Sequence, residues 1–389
     1  MTSGERRASA ALAAIYALRM LGLFIVLPVF ALEARRYPGG DDPALIGLAM
    51  GMYGLTQAFL QVPLGMASDR FGRKPVILLG LAVFAAGSAL AAWAPSVQWL
   101  LAARALQGAG AISAAVTALL ADLTRDTVRT KAMALVGISI ALMFALSLVA
   151  APALVPHVGL SGLFLMTLAL SLAAMAVVAW VVPPEPARQA HAPRASLREV
   201  LGQRDLLRVN AGVFALHAAQ IMTWLSVPAL LVQAGLDPAR HWQAYLPALV
   251  VSLLIVGGFL FRLERRGHFR AVYLGTIALL GLVQLGFLAQ FHQPSLPLLG
   301  VLLCLYFVGF NTQEASQPSL ASRLAAPHQR GTALGVFNTL MSLGIFVGGS
   351  LGGLVSRAWG APGVFGASAA VLALWLLIAW GMRPSAAAR

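Results

Sequence analysis

Long apolar blocks separated by short polar breaks run through this chain from end to end. Those long enough to cross a bilayer, about 20 residues each, number roughly twelve. They lie near 10–33, 44–68, 75–94, 97–121, 132–155, 159–182, 207–235, 242–261, 270–290, 296–321, 332–356 and 362–382. Lipid offers no hydrogen bonds, so each block is expected to be a helix that pairs its own backbone groups. The longest polar break covers 183–206, where prolines and Arg188, Arg194, Arg198 and Arg204 replace the apolar background. It is read as a cytoplasmic linker between two helical bundles, 1–182 and 207–389. The expected fold class is an all-α membrane protein of twelve transmembrane helices, six on each side of the linker.

Composition agrees with that class. Of 389 residues 59% are hydrophobic and 10% charged, with a mean hydropathy of +0.83, which would leave a soluble chain with large exposed apolar patches. The net charge of +14 would suggest nucleic acid in a soluble domain. Here the cations sit in short loops without aromatic residues between them, so no nucleic-acid partner is expected. Their distribution sets orientation instead. With the N-terminus cytoplasmic, most of the 27 Lys and Arg residues fall in loops on that side, and the opposite side keeps only Arg35, Arg36, Arg240 and Arg357. A multi-pass inner-membrane protein with both termini in the cytoplasm follows. Arg6 and Arg7 precede an apolar run that exceeds a signal-peptide core and contains Arg19, so the first block is read as an uncleaved span. The single cysteine, Cys304, allows no intramolecular disulfide.

The densest polar feature is GMASDRFGRK, Gly65 to Lys74, a charged hairpin between two spanning blocks. Gly65 would admit a neighbouring helix and Gly72 a tight turn, while Asp69 can accept hydrogen bonds from a helix N-terminus or an arginine. Such contacts would close the cytoplasmic side, making Gly65, Asp69, Arg70, Gly72 and Arg73 gate candidates. The alternative is that the charges anchor the hairpin among lipid headgroups. A fainter copy occurs in LFRLERRGHF, where Glu264, Arg265 and Gly267 correspond to Asp69, Arg70 and Gly72. RTKAMALVG from Arg129 likewise echoes RGTALGVFN from Arg330. These echoes point to two related halves.

Charges inside spans are costly in lipid, which makes Arg19, Arg104 and Glu314 functional candidates. Arg104, Gln107, Ala111, Ala115, Ala118 and Asp122 recur at helical spacing, a small and polar stripe suited to a cavity wall. Arg104 could equally hydrogen-bond neighbouring helix ends. Asn210, Phe214, His217, Gln220 and Trp224 share one face of the seventh span, and Phe307, Asn311, Glu314 and Gln317 one face of the tenth. Both faces are expected to line the cavity. Glu314 is the only acid well inside a span, and a carboxyl in a low-dielectric site holds its proton more tightly, so Glu314 is the first choice for proton coupling. His217 is either a second coupling group or a neutral hydrogen-bonding residue. Arg19 is read as an anion-binding group, or as a counter-ion whose permanent pairing would remove Glu314 from coupling. The glycines from Gly344 to Gly353, the 12 methionines and the prolines within spans are given packing and bending roles.

The spacing Gly65-x-x-x-Asp69-Arg70-x-Gly72-Arg73-Lys74 resembles the loop between helices two and three of the major facilitator superfamily. Arg104-x-x-Gln107-Gly108 resembles its fourth-helix element. LRMLGLFIVLPVF from Leu18, the stretch from Ile46 to Lys74 and FNTQEASQPSL from Phe310 are closest to the YajR-type subgroup. The resemblance implies two pseudo-symmetric six-helix bundles and a proton-driven exporter with rocking halves. It also implies that the hairpin's acid meets the eleventh helix, here near Gly331, and that its arginine meets an acid ending the fourth, here Arg73 and Asp122. Drug antiporters of the family carry a fifth-helix glycine motif ending in Gly-Pro. Ser147 and Ala151 stand at two of its glycine positions and no glycine pair follows Pro152, so the resemblance implies transport more directly than antiport. The subgroup's soluble C-terminal domain is expected to be absent, since the chain ends at Arg389 soon after its last span.

An enzyme would need a catalytic constellation, yet the sequence has no His-rich metal cluster, Gly-x-Ser-x-Gly elbow or paired carboxylates. Its lysines, Lys74 and Lys131, lack the phosphate loop of an ATP-driven pump. No cofactor and no metal are expected. The reading is a secondary carrier that moves a small solute outward in exchange for protons by alternating access, as a monomer in the lipid bilayer. A proton symporter or facilitator for uptake, and a sensor that binds without transport, are the alternatives. Aromatic cavity residues suggest an apolar or amphipathic solute, and Arg19 leaves an organic anion open.

Overall fold

The computed structural model describes residues 2–185, 197–326 and 329–382. Among them are fourteen α-helices and no strand, as expected of a chain that must satisfy its backbone within each segment. The linker residues Arg188 and Arg194 and the terminal Arg389 lie outside the described residues. By contacts the chain divides into two units, Met1–Asp41 with Met52–His191, and Asp42–Gly51 with Ala192–Arg389.

The first unit contains α1 (Ser3–Phe24), α2 (Leu27–Glu33), most of α3 (Pro43–Phe71), α4 (Arg73–Ala92), α5 (Val97–Ala109), α6 (Ser113–Asp122) and α7 (Asp126–Ala176). Its apolar core joins Leu12 and Ile15 of α1, Ile77 and Leu81 of α4, Val116 and Leu120 of α6, and Val136 of α7. The second unit contains the start of α3, then α8 (Leu197–Leu201), α9 (Arg204–Gln233), α10 (Trp242–Ile255), α11 (Phe261–Leu263), α12 (Phe269–Ala289), α13 (Leu296–Leu324) and α14 (Arg330–Trp380). Trp224, Tyr245, Phe287, Phe307 and Trp375 are buried inside it. Phe59, Trp180, Leu254 and Leu377 are exposed, giving an exterior that lipid solvates better than water.

Among the described residues, ten helical stretches are long and apolar enough to cross a membrane, where the sequence suggested about twelve. The difference lies in α7 and α14, each 51 residues long and, at about 1.5 Å per residue, far longer than an apolar layer of about 30 Å. Both break, at Gly159 (φ 63°, ψ −176°) and Gly360 (φ 65°, ψ −166°), a backbone state that side chains disfavour. The two breaks fall at the short gaps that separated the paired apolar blocks. Their matching angles, and the positive φ of Gly72 (108°) and Gly267 (89°), are the backbone counterpart of the repeat. The side chains of Arg129, Glu264 and Arg265 lie outside the described residues.

Two features were not foreseen. Residues 42–51 group with the second unit because Gly47 and Gly51 pack directly on Gly349, Gly353 and Phe346 of α14, where any Cβ would strike backbone. The other is the fourth apolar block, which is two helices rather than one, interrupted between Ala109 and Ser113. A methyl on Gly108 would strike the Tyr53 carbonyl, and one on Gly110 the Gly80 carbonyl, so the interruption is wedged between α3 and α4. It also corrects the expected stripe. Ala111 within the break and Ala115 beyond it are buried, and Ser113, Thr117, Ala118 and Asp122 take the more accessible face of α6.

Candidate functional site

Gly72, at φ 108°, turns the chain sharply between α3 and α4 and brings Arg73 back over the end of α3. The Arg73 guanidinium is buried and bonded through Nη1 and Nε. Its Nη1 donates to Ser68 Oγ (2.8 Å) and pairs with Asp69, while Nε donates to Asp122 Oδ2 at 3.2 Å. The arginine and the acid ending the fourth block are therefore in contact. Glu185, beyond α7, accepts the backbone N–H groups of Arg73 (3.0 Å) and Lys74 (2.5 Å), and Lys74 Nζ donates to Val182 O at 2.6 Å. A carboxylate thus sits on the positive end of α4. Arg70 stacks on Phe71, and a methyl on Gly65 would meet Ala114 only at ordinary van der Waals distance. Nearby, Arg125 makes a forked pair with Glu5 (2.8 and 3.2 Å), and hydrogen bonding to that carboxylate raises the Arg125 pKa above its ordinary value.

A second group of charges lies inside the first unit. Arg19, 1% exposed, donates from Nη2 to the Tyr53 hydroxyl at 2.9 Å, and only at 3.4–3.5 Å to Ser113 Oγ, Gln57 Oε1 and Gly110 O. Gly110 and Ser113 flank the break between α5 and α6, where Tyr16, whose hydroxyl donates to Ser113 O at 2.8 Å, braces backbone that the interrupted helix leaves open, with Arg19 alongside. Arg104, 7% exposed, lies over the Tyr53 ring at 5.0 Å and donates to Gln107 Oε1 at 2.9 Å. Gln107 in turn donates to Ser88 Oγ at 2.9 Å.

In the second unit His217 and Glu314 come together, with Nε2 and Oε2 3.6 Å apart. His217 Nδ1 lies 3.0 Å from Val213 O, and a carbonyl can only accept, so Nδ1 carries the hydrogen and Nε2 faces the carboxylate. The Glu314 side chain is 47% exposed. Protein thus covers about half of this side chain, while the neighbouring Gln313 is buried. The partners described for Arg19 lie in the first unit and that of Glu314 in the second. Phe214 and Asn311 are half-buried, and Asn311 donates to Ser252 Oγ at 3.2 Å. Gln107, Gln220, Trp224 and Phe307 are buried. Trp224 packs edge-on to Tyr245 and Phe307 against Tyr306, which makes them walls of helix packing.

Sequence reasoning missed Tyr53, Gln57, Tyr16, Ser113 and Glu185. Tyr53, Gln57 and Gln61 recur every four residues in an otherwise apolar helix, a polar stripe that could have drawn attention to α3. No pattern near Glu185 indicates that it reaches back to Arg73 and Lys74.

The sequence matches the Major Facilitator Superfamily profile over residues 12–349 and 262–389. It is 42% identical to the inner membrane transport protein YajR of Escherichia coli (strain K12), over 98% of this chain and 85% of that one. Identity to the multidrug resistance protein MdtH of Aeromonas salmonicida (strain A449) is 29%, over 86% and 82%. Among solved structures, a mutant of the nucleoside transporter NupG has a TM-score of 0.77 at 15% identity, covering 96% of this chain and 99% of that one. A bacterial homologue of the human lysosomal transporter Spinster gives 0.75 at 17%, covering 97% and 96%. Likeness at that identity is likeness of fold.

Proposed function

Since this chain belongs to the major facilitator superfamily and is a multi-pass membrane transporter, we propose that it is a secondary carrier moving a small solute out of the cytoplasm in exchange for protons. The observation that carries the proton half of this reading is the His217–Glu314 pair at 3.6 Å. With Nδ1 committed to Val213 O, the pair offers a transported proton two places, Glu314 facing a neutral Nε2 or Nε2 facing the carboxylate. A solute or a conformational change that separates the two groups would release that proton. The outward direction is supported by relatives named multidrug resistance proteins. Arg73, held between Asp69 and Asp122, serves as the latch of the cytoplasmic gate in this reading, with both termini on the same side.

Reconstituted vesicles with an imposed pH gradient test the coupling. Glu314→Gln, which mimics the protonated carboxyl, should abolish gradient-driven flux while leaving solute exchange at equal pH. Unchanged gradient-driven flux in Glu314→Gln and His217→Gln would refute proton coupling through this pair.

A further inference from the structure

Arg19 and Arg104 are buried guanidiniums that share one tyrosine. Arg19 bonds the Tyr53 hydroxyl and Arg104 covers its ring. Among the described residues, neither has a carboxylate within ion-pair distance, since the partners of both are neutral. Two positive charges at membrane depth without a counter-charge need an acceptor of negative charge.

The donors that remain unfilled are the second observation. Of the five N–H donors in the Arg19 fork, one makes a short bond, others reach acceptors only at 3.4–3.5 Å, and buried Nε has no partner. The planes are already covered, Arg19 by Phe84 at 5.6 Å and Arg104 by Tyr53 at 5.0 Å. Stacked faces leave the in-plane edges, where a planar two-oxygen group bonds best. Arg19 Nη1 also points to Ser113, the first residue of α6, whose positive end adds to the field.

We propose that Arg19 and Arg104, held on Tyr53 beside the break between α5 and α6, bind a single carboxylate of the transported solute. This names the chemistry of the substrate and rests on the reading of the chain as a carrier. Benzoate, a planar two-oxygen anion, is the probe and benzyl alcohol its neutral match.

Calorimetric titration of the purified full-length protein in detergent should show binding of benzoate and none of benzyl alcohol. Arg19→Gln and Arg104→Gln should each weaken benzoate on the order of 30-fold or more. Arg19→Lys, which keeps the charge and loses the fork, should fall between them and the wild type. Absent benzoate binding, equal binding of the alcohol, or wild-type affinity in both glutamine variants would overturn the site. Flux measurements in vesicles separate this from the carrier reading. Transport of a neutral solute without benzoate binding sinks the site alone, and benzoate binding with no flux of any solute sinks the carrier alone.

Discussion

Arg73 and the pair Arg19 and Arg104 are buried guanidiniums of the same unit, and they are treated in opposite ways. Arg73 has a carboxylate on two sides and a hydroxyl on a third, and the turn before it is held by Glu185. Arg19 and Arg104 have a phenol, amides, a hydroxyl, a carbonyl and aromatic faces. A buried charge that is neutralised belongs to the structure's own electrostatics. One that is not leaves charge available for something that comes and goes, which is what a carrier's site requires.

Breaking the neutralised cluster should have the largest effect. Arg73→Ala removes the cation shared by Asp69 and Asp122 and should cost about 3–5 kcal/mol, read as a fall in thermal unfolding temperature in detergent. Gly108→Val drives a side chain into the Tyr53 carbonyl and should cost about 1–3 kcal/mol, while also loosening Arg104 from the ring, which weaker benzoate affinity would report. Glu185→Ala frees the N–H groups at the start of α4 and should cost about 1 kcal/mol, with faster amide exchange at Arg73 and Lys74. Least of all, Asp205→Asn removes a part-exposed pair with Arg208 one turn away and should cost about 0.5 kcal/mol or less. A loss there as large as that in Arg73→Ala would show that pairing alone does not explain the cluster.

What the sequence made legible was whatever depends on local spacing. Apolar block length revealed the spans, and Gly72 revealed its turn, because both are properties of a few consecutive residues. Arg73 and Asp122 could be matched only through family resemblance, and the structure brings them together. The interruption at 110–112 was not read from the sequence, although Gly108 and Gly110 weaken a helix there; that both pack closely on α3 and α4 is visible only in the fold. Glu314 was read as buried because it lies mid-span, yet which way a helix faces is set by its neighbours, and α13 presents Gln313 and Gln317 inward instead. Glu185 was invisible for the same reason, as it acts on residues more than a hundred positions away.

The most direct test compares the stabilities of Arg19→Gln and Arg73→Ala with the wild type in one detergent, by thermal unfolding. If Arg19 is a charge held open for a ligand, its replacement by a neutral side chain should raise stability by about 1 kcal/mol or more, while Arg73→Ala lowers it. A loss of similar size in both variants would mean that Arg19 is as structural as Arg73 and would contradict the account.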